Sequence, residues 1–181
     1  LVFEPVDNKS SSLWNELIDR YHYLGYQRQG GAQMRLFVYA SGRRVALLGF
    51  SAAAWKATPR DAFIGWSDLK RQENLHRVVD NSRFLILPWV HSNNLASRIL
   101  SGVARRLPDL WQERYQVRPL LLETFVEKDR FSGACYQAAN WTCVGQTKGR
   151  GKWDRENKHG KPVKTIWLYP LDRRFKERLC R

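Results

Sequence analysis

Apolar and polar positions follow two different periods along the first part of the chain. Residues 11–25, SSLWNELIDRYHYLG, begin with serines and carry apolar or aromatic side chains three and four positions apart until Gly25, which predicts a helix. Residues 33–40 and 43–52 are rich in Leu, β-branched and aromatic residues, and a Ser-Gly pair separates them. They predict two strands joined by a tight turn.

The following two segments differ in character. Residues 54–67 contain a proline and mixed polarity, so we expect irregular structure there. Residues 68–79 place Leu and Val at helix-compatible intervals after a serine, and we expect a helix.

Strands and helices alternate through the remainder of the chain. We expect a strand over 81–90, a helix over 92–115 interrupted near Pro108, a strand over 119–126, a short helix over 129–141, and strands over 141–147 and 163–169.

This order has no internal repeat and no low-complexity linker, which predicts a single α/β (α+β) domain with a central mixed sheet flanked by helices. We divide it into a core over 1–147, a basic loop over 148–162, and a final strand with a basic C-terminal tail over 163–181. The 43% hydrophobic and 13% aromatic content supports a packed core and excludes a disordered basic protein.

The net charge of +14 indicates that the protein binds a polyanion. From residue 148 onward there are twelve Lys or Arg and four Asp or Glu, and within residues 147–161 glycines and one tryptophan lie between the cations. That composition favours a nucleic-acid contact over a merely solvated loop, and it favours DNA over an anionic membrane because no amphipathic helix accompanies the charge. The predicted nucleic-acid contacts are Arg83, Lys148, Arg150, Lys152, Trp153, Arg155 and Lys158.

Cysteine and histidine content favours neither disulfides nor a metal site. The three cysteines are an odd number, and none of the four histidines stands at a zinc-finger spacing from a cysteine. No apolar run approaches the roughly 20 residues needed to cross a bilayer, and the first residues lack a secretory pattern. We therefore expect a cytoplasmic protein with no metal.

The segment from 81 to 145 resembles the second half of the GNAT acyltransferase fold, in which a short helix ends in a Tyr followed five positions later by an aromatic residue. Tyr136 and Trp141 have that interval. The resemblance implies that two strands splay to admit pantetheine along 85–90, that the helix start at 92–97 receives a pyrophosphate, and that Tyr136 protonates a departing thiolate. The alternative for Tyr136 and Trp141 is an ordinary core position.

The cofactor implied is acetyl-CoA or a similar acyl donor. The family's Gln/Arg-x-x-Gly-x-Gly/Ala phosphate loop is replaced here by HSNNLAS over 91–97. Whether the chain binds this cofactor is therefore an open question. The positions that the resemblance assigns to it are Leu87, Trp89, Ser92, Asn93, Asn94 and Ser97.

A second resemblance covers nearly the whole chain. The segments YHYLGY, LLGFSAA, RDAFIGW, VDNSRFLILP, NNLASRIL, PLLLETFV, FSGACYQAANW and VGQTKGRG resemble, in this order, the domain named after the DruA protein of the Druantia anti-phage system. That domain also occurs with transposase-like genes. The HYLG, NSRF, NNLAS and YQAANW series is similar to phage Mom-type proteins, which modify adenine in DNA. Both resemblances imply DNA as the partner, with a defence-system helicase or a transposase as a further one.

The candidate catalytic residues are His22, Glu123 and Tyr136. His22 suits a base or ligand, or else a structural donor to a backbone carbonyl. Glu123 lies in an apolar strand, so either a cation such as Arg83 pairs with it or its pKa is raised for proton transfer.

Other side chains have open roles. Cys135 is a nucleophile or, more commonly for such a position, a small buried residue. Arg60 and Asp61 form a salt bridge or contact a substrate. The aromatic residues available to hold a flipped base are Tyr21, Tyr23, Trp66 and Trp89.

Three functions are compatible with these features. The first is a DNA-acting domain of a defence system or mobile element, with base modification by group transfer as its candidate chemistry. The second is a non-catalytic DNA-binding module of the same fold that recruits a helicase, nuclease or transposase. The third is an acyltransferase acting on a peptide or small amine.

Overall fold

The computed structural model describes residues 1–149 and 160–181. Its elements are β1 Val2–Pro5, α1 Ser11–Tyr21, β2 Gln33–Ala40, β3 Arg43–Ala52, α2 Thr58–Ile64, α3 Asp68–Asn74, a 3₁₀ turn Leu75–Arg77, β4 Val78–Ile86, α4 Leu95–Tyr115, β5 Leu121–Glu127, α5 Ala134–Ala138, β6 Thr142–Gln146, β7 Lys164–Pro170 and α6 Phe175–Cys180.

The strands form one seven-stranded sheet in the order β1-β2-β3-β4-β5-β7-β6. Every neighbouring pair is antiparallel except β4 and β5, which are parallel. The predicted mixed sheet flanked by helices is confirmed. The single parallel pair stands at the centre of the sheet, with the long helix α4 on the connection between its strands.

Alternate residues of each strand face two different helical layers. Leu36 and Val38 pack with the apolar stripe of α4, whereas Phe37 between them packs with Trp14 and Ile18 of α1. Farther along the sheet, the layer that contains α1 continues with α2 and α6, which cover the apolar residues of β5 and β7. We call the side covered by α4 and α5 the upper face, and the side covered by α1, α2 and α6 the lower face.

Several predicted boundaries are wrong. Residues 54–67 contain helix α2, because a proline in the first turn has no N–H to lose there and pre-sets the backbone for a helix. The helix expected over 68–79 ends at Asn74, and Val78 and Val79 begin β4, where both are buried in the sheet. Strand β1 and helix α6 have no counterpart in the sequence prediction.

Two further corrections concern the helices on the upper face. Pro108 does not interrupt α4, because the residues around it are buried against the sheet and hold the helix through the missing hydrogen bond. The helix expected over 129–141 is the five-residue α5.

Candidate functional site

The strands β4 and β5 separate after a short stretch of pairing. Their ladder contains Val78, Val79 and Asp80 on β4 and ends at the Asp80 to Glu123 pair. Just beyond it, the Thr124 hydroxyl donates to the Asn81 carbonyl at 2.9 Å, which fixes the point of divergence. The expected opening between these strands is therefore confirmed, and it forms a cleft of about 410 Å³.

Aromatic rings from both faces of the sheet line this cleft. Ring centroids of Tyr23 and Phe131 lie 5.1 Å apart, and those of Phe84 and Tyr136 lie 6.5 Å apart. Such walls favour a planar apolar or heteroaromatic group. The lining includes Tyr21, His22, Tyr23, Leu24, Asn81, Phe84, Phe125, Phe131, Cys135 and Tyr136.

Tyr136 faces the cleft from α5, as expected. Its hydroxyl donates to Asn81 Oδ1 at 3.2 Å, and the Asn81 amide in turn donates to the backbone carbonyls of Gly49 and Arg83. Burial raises the pKa of Tyr136, so the phenol keeps its proton at neutral pH. Tyr136 also packs edge-on against Trp141 at 5.2 Å, so the five-residue interval joins two buried aromatic residues.

His22 ends α1 and lines the cleft from the other side of the sheet. Its Nδ1 accepts a hydrogen bond from the Leu24 N–H at 3.2 Å. Burial, aided by the charge of Arg83, lowers the pKa of His22 to about 4. The imidazole is therefore neutral at pH 7 and carries its proton on Nε2, which makes it a hydrogen-bond donor and not a general base in this tautomer.

Arg83 holds the turn that carries His22. Only 8% of Arg83 is exposed, and its Nε donates to the Gly25 carbonyl at 3.2 Å while Nη1 donates to the Ser82 carbonyl at 2.7 Å. This geometry gives Arg83 a structural contact in place of the expected phosphate contact. Arg83 also packs on Gly49, where an added Cβ would lie 3.0 Å from the Cβ of Arg83.

Glu123 lies outside the cleft, so the expected convergence of His22, Glu123 and Tyr136 is wrong for this residue. Its side chain points to the lower face, is fully buried, and accepts from Arg60 Nη1 and from the Ala54 N–H, both at 2.8 Å. Burial raises the pKa of Glu123, and the charge of Arg60 opposes that shift. The partner of Glu123 is thus Arg60 and not Arg83.

The remaining candidates divide between cleft and core. Arg60 also bridges to Asp61, so the open question about this pair resolves to a buried salt bridge. Cys135 lines the cleft, but burial raises the pKa of its thiol, which does not favour a nucleophile. Trp66 is a core residue, whereas Trp89 is 58% exposed beside Tyr21.

The start of α4 carries the expected cofactor residues. Ser92, Asn93 and Asn94 are exposed, and the first helical hydrogen bond runs from the Arg98 N–H to the Asn94 carbonyl, so the N–H groups of the preceding turn have no helical acceptor. The Ser97 hydroxyl donates to the same carbonyl at 3.1 Å. Leu87 is an exception, because its side chain is 2% exposed and packs with α1.

This helix start fits an anionic group better than its sequence suggests. When the phosphate-loop pattern is laid over 91–96, its first glycine falls on Asn94, which has φ of 59°, the left-handed backbone that glycine usually supplies. Ala96 satisfies the last position, and His91 replaces the Gln or Arg. The N–H groups without helical acceptors and the left-handed backbone of Asn94 therefore suit an anionic group such as a pyrophosphate.

The basic loop joins the paired strands β6 and β7 at the edge of the sheet. The Lys161 N–H donates to the Gly149 carbonyl at 3.0 Å, and the Thr147 N–H donates to the Lys164 carbonyl at 2.8 Å, so the loop leaves and returns at one place. Lys148 is exposed there. The other expected contacts, Arg150, Lys152, Trp153, Arg155 and Lys158, lie outside the described residues.

Sequence reasoning missed several residues of the cleft. Phe84 and Phe131 line it, and Asn81 holds the Tyr136 hydroxyl. The polar Asn81 at the start of an apolar strand was the available signal. In the described part of the chain, no helix is long and apolar enough to span a bilayer, and no group of three His, Cys, Asp or Glu side chains is arranged to hold a metal ion.

Comparison with solved structures defines the fold class as that of the GNAT acetyltransferases. The ribosomal-protein-S18-alanine N-acetyltransferase from Escherichia coli is similar with a TM-score of 0.58 at 11% identity, covering 94% of each chain. An aminoglycoside acetyltransferase in complex with coenzyme A and kanamycin gives 0.57 at 12% identity, covering 98% of this chain and 97% of that one. A variant of spermidine N-acetyltransferase from Vibrio cholerae gives 0.57 at 10% identity, covering 98% and 99%.

The family is narrower than this fold class. Residues 2–165 match the family described as Druantia protein DruA, and the chain belongs to that family. No curated protein matches the sequence. The family assignment thus comes from the chain's own motifs, and the solved structures contribute the fold alone.

Proposed function

We propose that this domain acts on DNA in an anti-phage system by transferring an acyl group to a nucleobase held in the cleft between β4 and β5. The observation that carries the proposal is the cleft itself, a slot between diverging strands that is walled by aromatic rings from both faces of the sheet. The rings of Tyr23, Phe84 and Phe131 are suited to stack on a base that has left the duplex, each such contact being worth roughly 1–3 kcal/mol.

Two side chains at the cleft have defined hydrogen-bonding roles in this proposal. The Nε2–H of neutral His22 donates to an acceptor on the base, such as a ring nitrogen or a carbonyl oxygen. The Tyr136 phenol, which stays protonated at neutral pH, lines the cleft and would donate a proton to the thiolate released when the new C–N bond forms and the thioester C–S bond breaks. The exocyclic amine of a base is the group to be modified, and solvent at the mouth accepts the proton that the amine loses.

A CoA-type thioester supplies an activated acyl group when it is bound. The N–H groups at the start of α4, with Ser92, Asn93 and Asn94 beside them, are the groups of this chain that would hold its pyrophosphate.

DNA as the partner is supported by charge. The chain carries a net charge of +14, and the loop that leaves the sheet between β6 and β7 is rich in Lys and Arg. A helicase or transposase of the same system remains a further proposed partner.

The decisive experiment incubates the protein with DNA and acetyl-CoA, digests the DNA, and analyses the nucleosides by mass spectrometry. Wild type should give a nucleoside of increased mass. Tyr136→Phe should slow its formation by about 10²–10⁴-fold while DNA affinity is unchanged, because only the acidic hydroxyl is removed. Tyr169→Phe is the matched control, since Tyr169 lies in the same apolar core but does not line the cleft, and it should retain full activity.

The second candidate is a DNA-binding module that has no catalytic activity and recruits a helicase, nuclease or transposase. It is favoured by one observation, that Glu123 pairs with Arg60 and no carboxylate among the described residues lines the cleft. Unchanged nucleosides with acetyl-CoA and other acyl-CoA donors, together with intact phage defence by Tyr136→Phe, would establish the module in place of the transferase.

A further inference from the structure

One side of α4 carries arginines that face away from the sheet. The buried stripe of this helix, which includes Ile99, Val103 and Leu107, faces the sheet and turns the opposite side outward. On that outward side, Arg98, Arg105 and Arg106 are exposed, and within residues 1–149 and 160–181 their side chains have no hydrogen bond or ion pair.

These arginines line one groove of about 800 Å³, which we call the α4 arginine groove. Its polar lining is completed by Ser97 and Ser101, and Phe3 of β1 lies along it. Gly102 allows β1 to lie close to α4 at this groove, because a Cβ there would lie 2.7 Å from the Phe3 ring.

We propose that the α4 arginine groove binds the phosphate backbone of a polynucleotide, as a surface separate from the basic loop between β6 and β7. The inference rests on the proposed function in one respect, that the polymer is DNA. Unpaired guanidinium groups are strong donors to phosphate oxygens, and the serine hydroxyls add neutral donors beside them.

The spacing of the arginines favours a polymer over a single phosphate. Arg98 and Arg105 are two helical turns apart, about 10.5 Å along the axis at 1.5 Å per residue. That span is longer than a single phosphate group and exceeds the roughly 3.4 Å by which one strand of B-DNA rises along the duplex axis per nucleotide. A row of this length can contact consecutive phosphates, whereas one isolated anion would engage only part of it.

The test measures DNA affinity against salt for a fluorescein-labelled duplex of about 30 base pairs. The triple variant Arg98→Ala, Arg105→Ala, Arg106→Ala should bind more weakly, and its slope of log affinity against log salt should be shallower by about 2 to 3, because each phosphate that is no longer neutralised removes about 0.9. A control triple removes the same charge at exposed arginines outside the groove, Arg20, Arg43 and Arg114, and should change the slope less.

A second variant, Ser101→Glu, keeps all three arginines and places a negative charge in the groove. It should also weaken DNA binding, which separates the groove's own contacts from the loss of net charge. Competition with coenzyme A on wild type and on the triple variant identifies the source of the phosphate.

The possible outcomes are distinct. A groove triple with the wild-type slope, while substitution of the basic loop still weakens binding, overturns this inference and leaves the proposed function standing. A groove triple that loses coenzyme A binding and keeps DNA binding assigns the groove to a nucleotide cofactor and also overturns it. Wild-type protein with no affinity for DNA overturns both.

Discussion

The two ring nitrogens of His22 determine which hydrogen bonds this side of the cleft can make with a ligand. Nδ1 is occupied by the Leu24 N–H, and the ring stacks on Tyr23 with centroids 4.9 Å apart. Arg83 fixes the same turn through the Gly25 carbonyl and adds a positive charge nearby. Protonation of the ring would place a second positive charge in a half-buried site and would remove the acceptor for Leu24.

We therefore predict that His22 makes the fold sensitive to acid. Its pKa is about 4 in the folded state against an ordinary value of 6.5, so the unfolded chain binds the proton more tightly. By linkage, the free energy of unfolding falls as the pH drops from about 6.5 to about 4. The stability that depends on a neutral His22 is fully present above this pH range. His22→Asn keeps an acceptor for Leu24 but cannot take the proton, so urea unfolding should show a smaller loss of stability in this window than wild type shows.

The exposed His76 provides the control, and His76→Asn should preserve the wild-type pH dependence. An NMR titration gives the direct measurement. An imidazole of His22 that titrates near 6.5 would contradict the low pKa.

Individual residues are easier to find in the sequence than their partners. An acid within PLLLETFV has to be paired or protonated, and Glu123 is indeed fully buried. Its partner Arg60 comes from α2, 63 positions earlier, in a segment for which the sequence predicts irregular structure. Periodicity within a strand carries no information about which distant cation faces it, so the sequence suggests Arg83 and does not identify Arg60.

At the scale of elements, local chemistry determines how well each one is predicted. The hairpin of β2 and β3 has the predicted bounds, because a Ser-Gly turn and two apolar runs all lie within twenty residues. Helix α4 continues through Pro108 and β4 starts at Val78 because burial against the sheet outweighs local propensity. Both boundaries are set by contacts between elements, and a single sequence does not contain those contacts explicitly.

The short helix α5 depends on a glycine in front of it. Gly133 has φ of 76°, and a Cβ there would lie 2.5 Å from Trp167. Gly133→Ala should therefore cost more than the roughly 1 kcal/mol expected for a left-handed backbone alone. Gly42→Ala is the matched control, because Gly42 has φ of 73° with open space around its Cβ position.

Denaturant unfolding of the two glycine variants measures the difference. The variant at 133 should be clearly less stable than the variant at 42, and the fluorescence of the tryptophans near α5 should change only in the former. Equal losses of stability would mean that the Trp167 ring moves aside without a loss of free energy. The start of α5 would then not depend on this contact.

At the scale of the whole molecule, the basic loop and the cleft belong to different strands of one sheet. The cleft opens at the parallel pair in the middle, whereas the basic loop leaves from β6 and β7 at one edge. The strands that carry the loop, β6 and β7, are therefore not the two strands between which the cleft opens. In the transferase proposal, the loop supplies affinity for the duplex and the cleft supplies selectivity for a base.

This division predicts that DNA binding by the loop can be weakened without a change in the reaction at the cleft. Lys148→Ala, Arg150→Ala and Lys152→Ala combined should lower duplex affinity and flatten its salt dependence by about 0.9 for each phosphate that is no longer neutralised. The rate of base modification at saturating DNA should match wild type, because in this proposal the loop supplies affinity for DNA and not catalysis, and Lys148 does not line the cleft. The exposed control triple at Arg20, Arg43 and Arg114 removes the same charge elsewhere and should retain more of the slope. Unaltered salt dependence in the loop variant would show that the duplex is bound by another surface, and a lower rate at saturating DNA would show that loop and cleft act together.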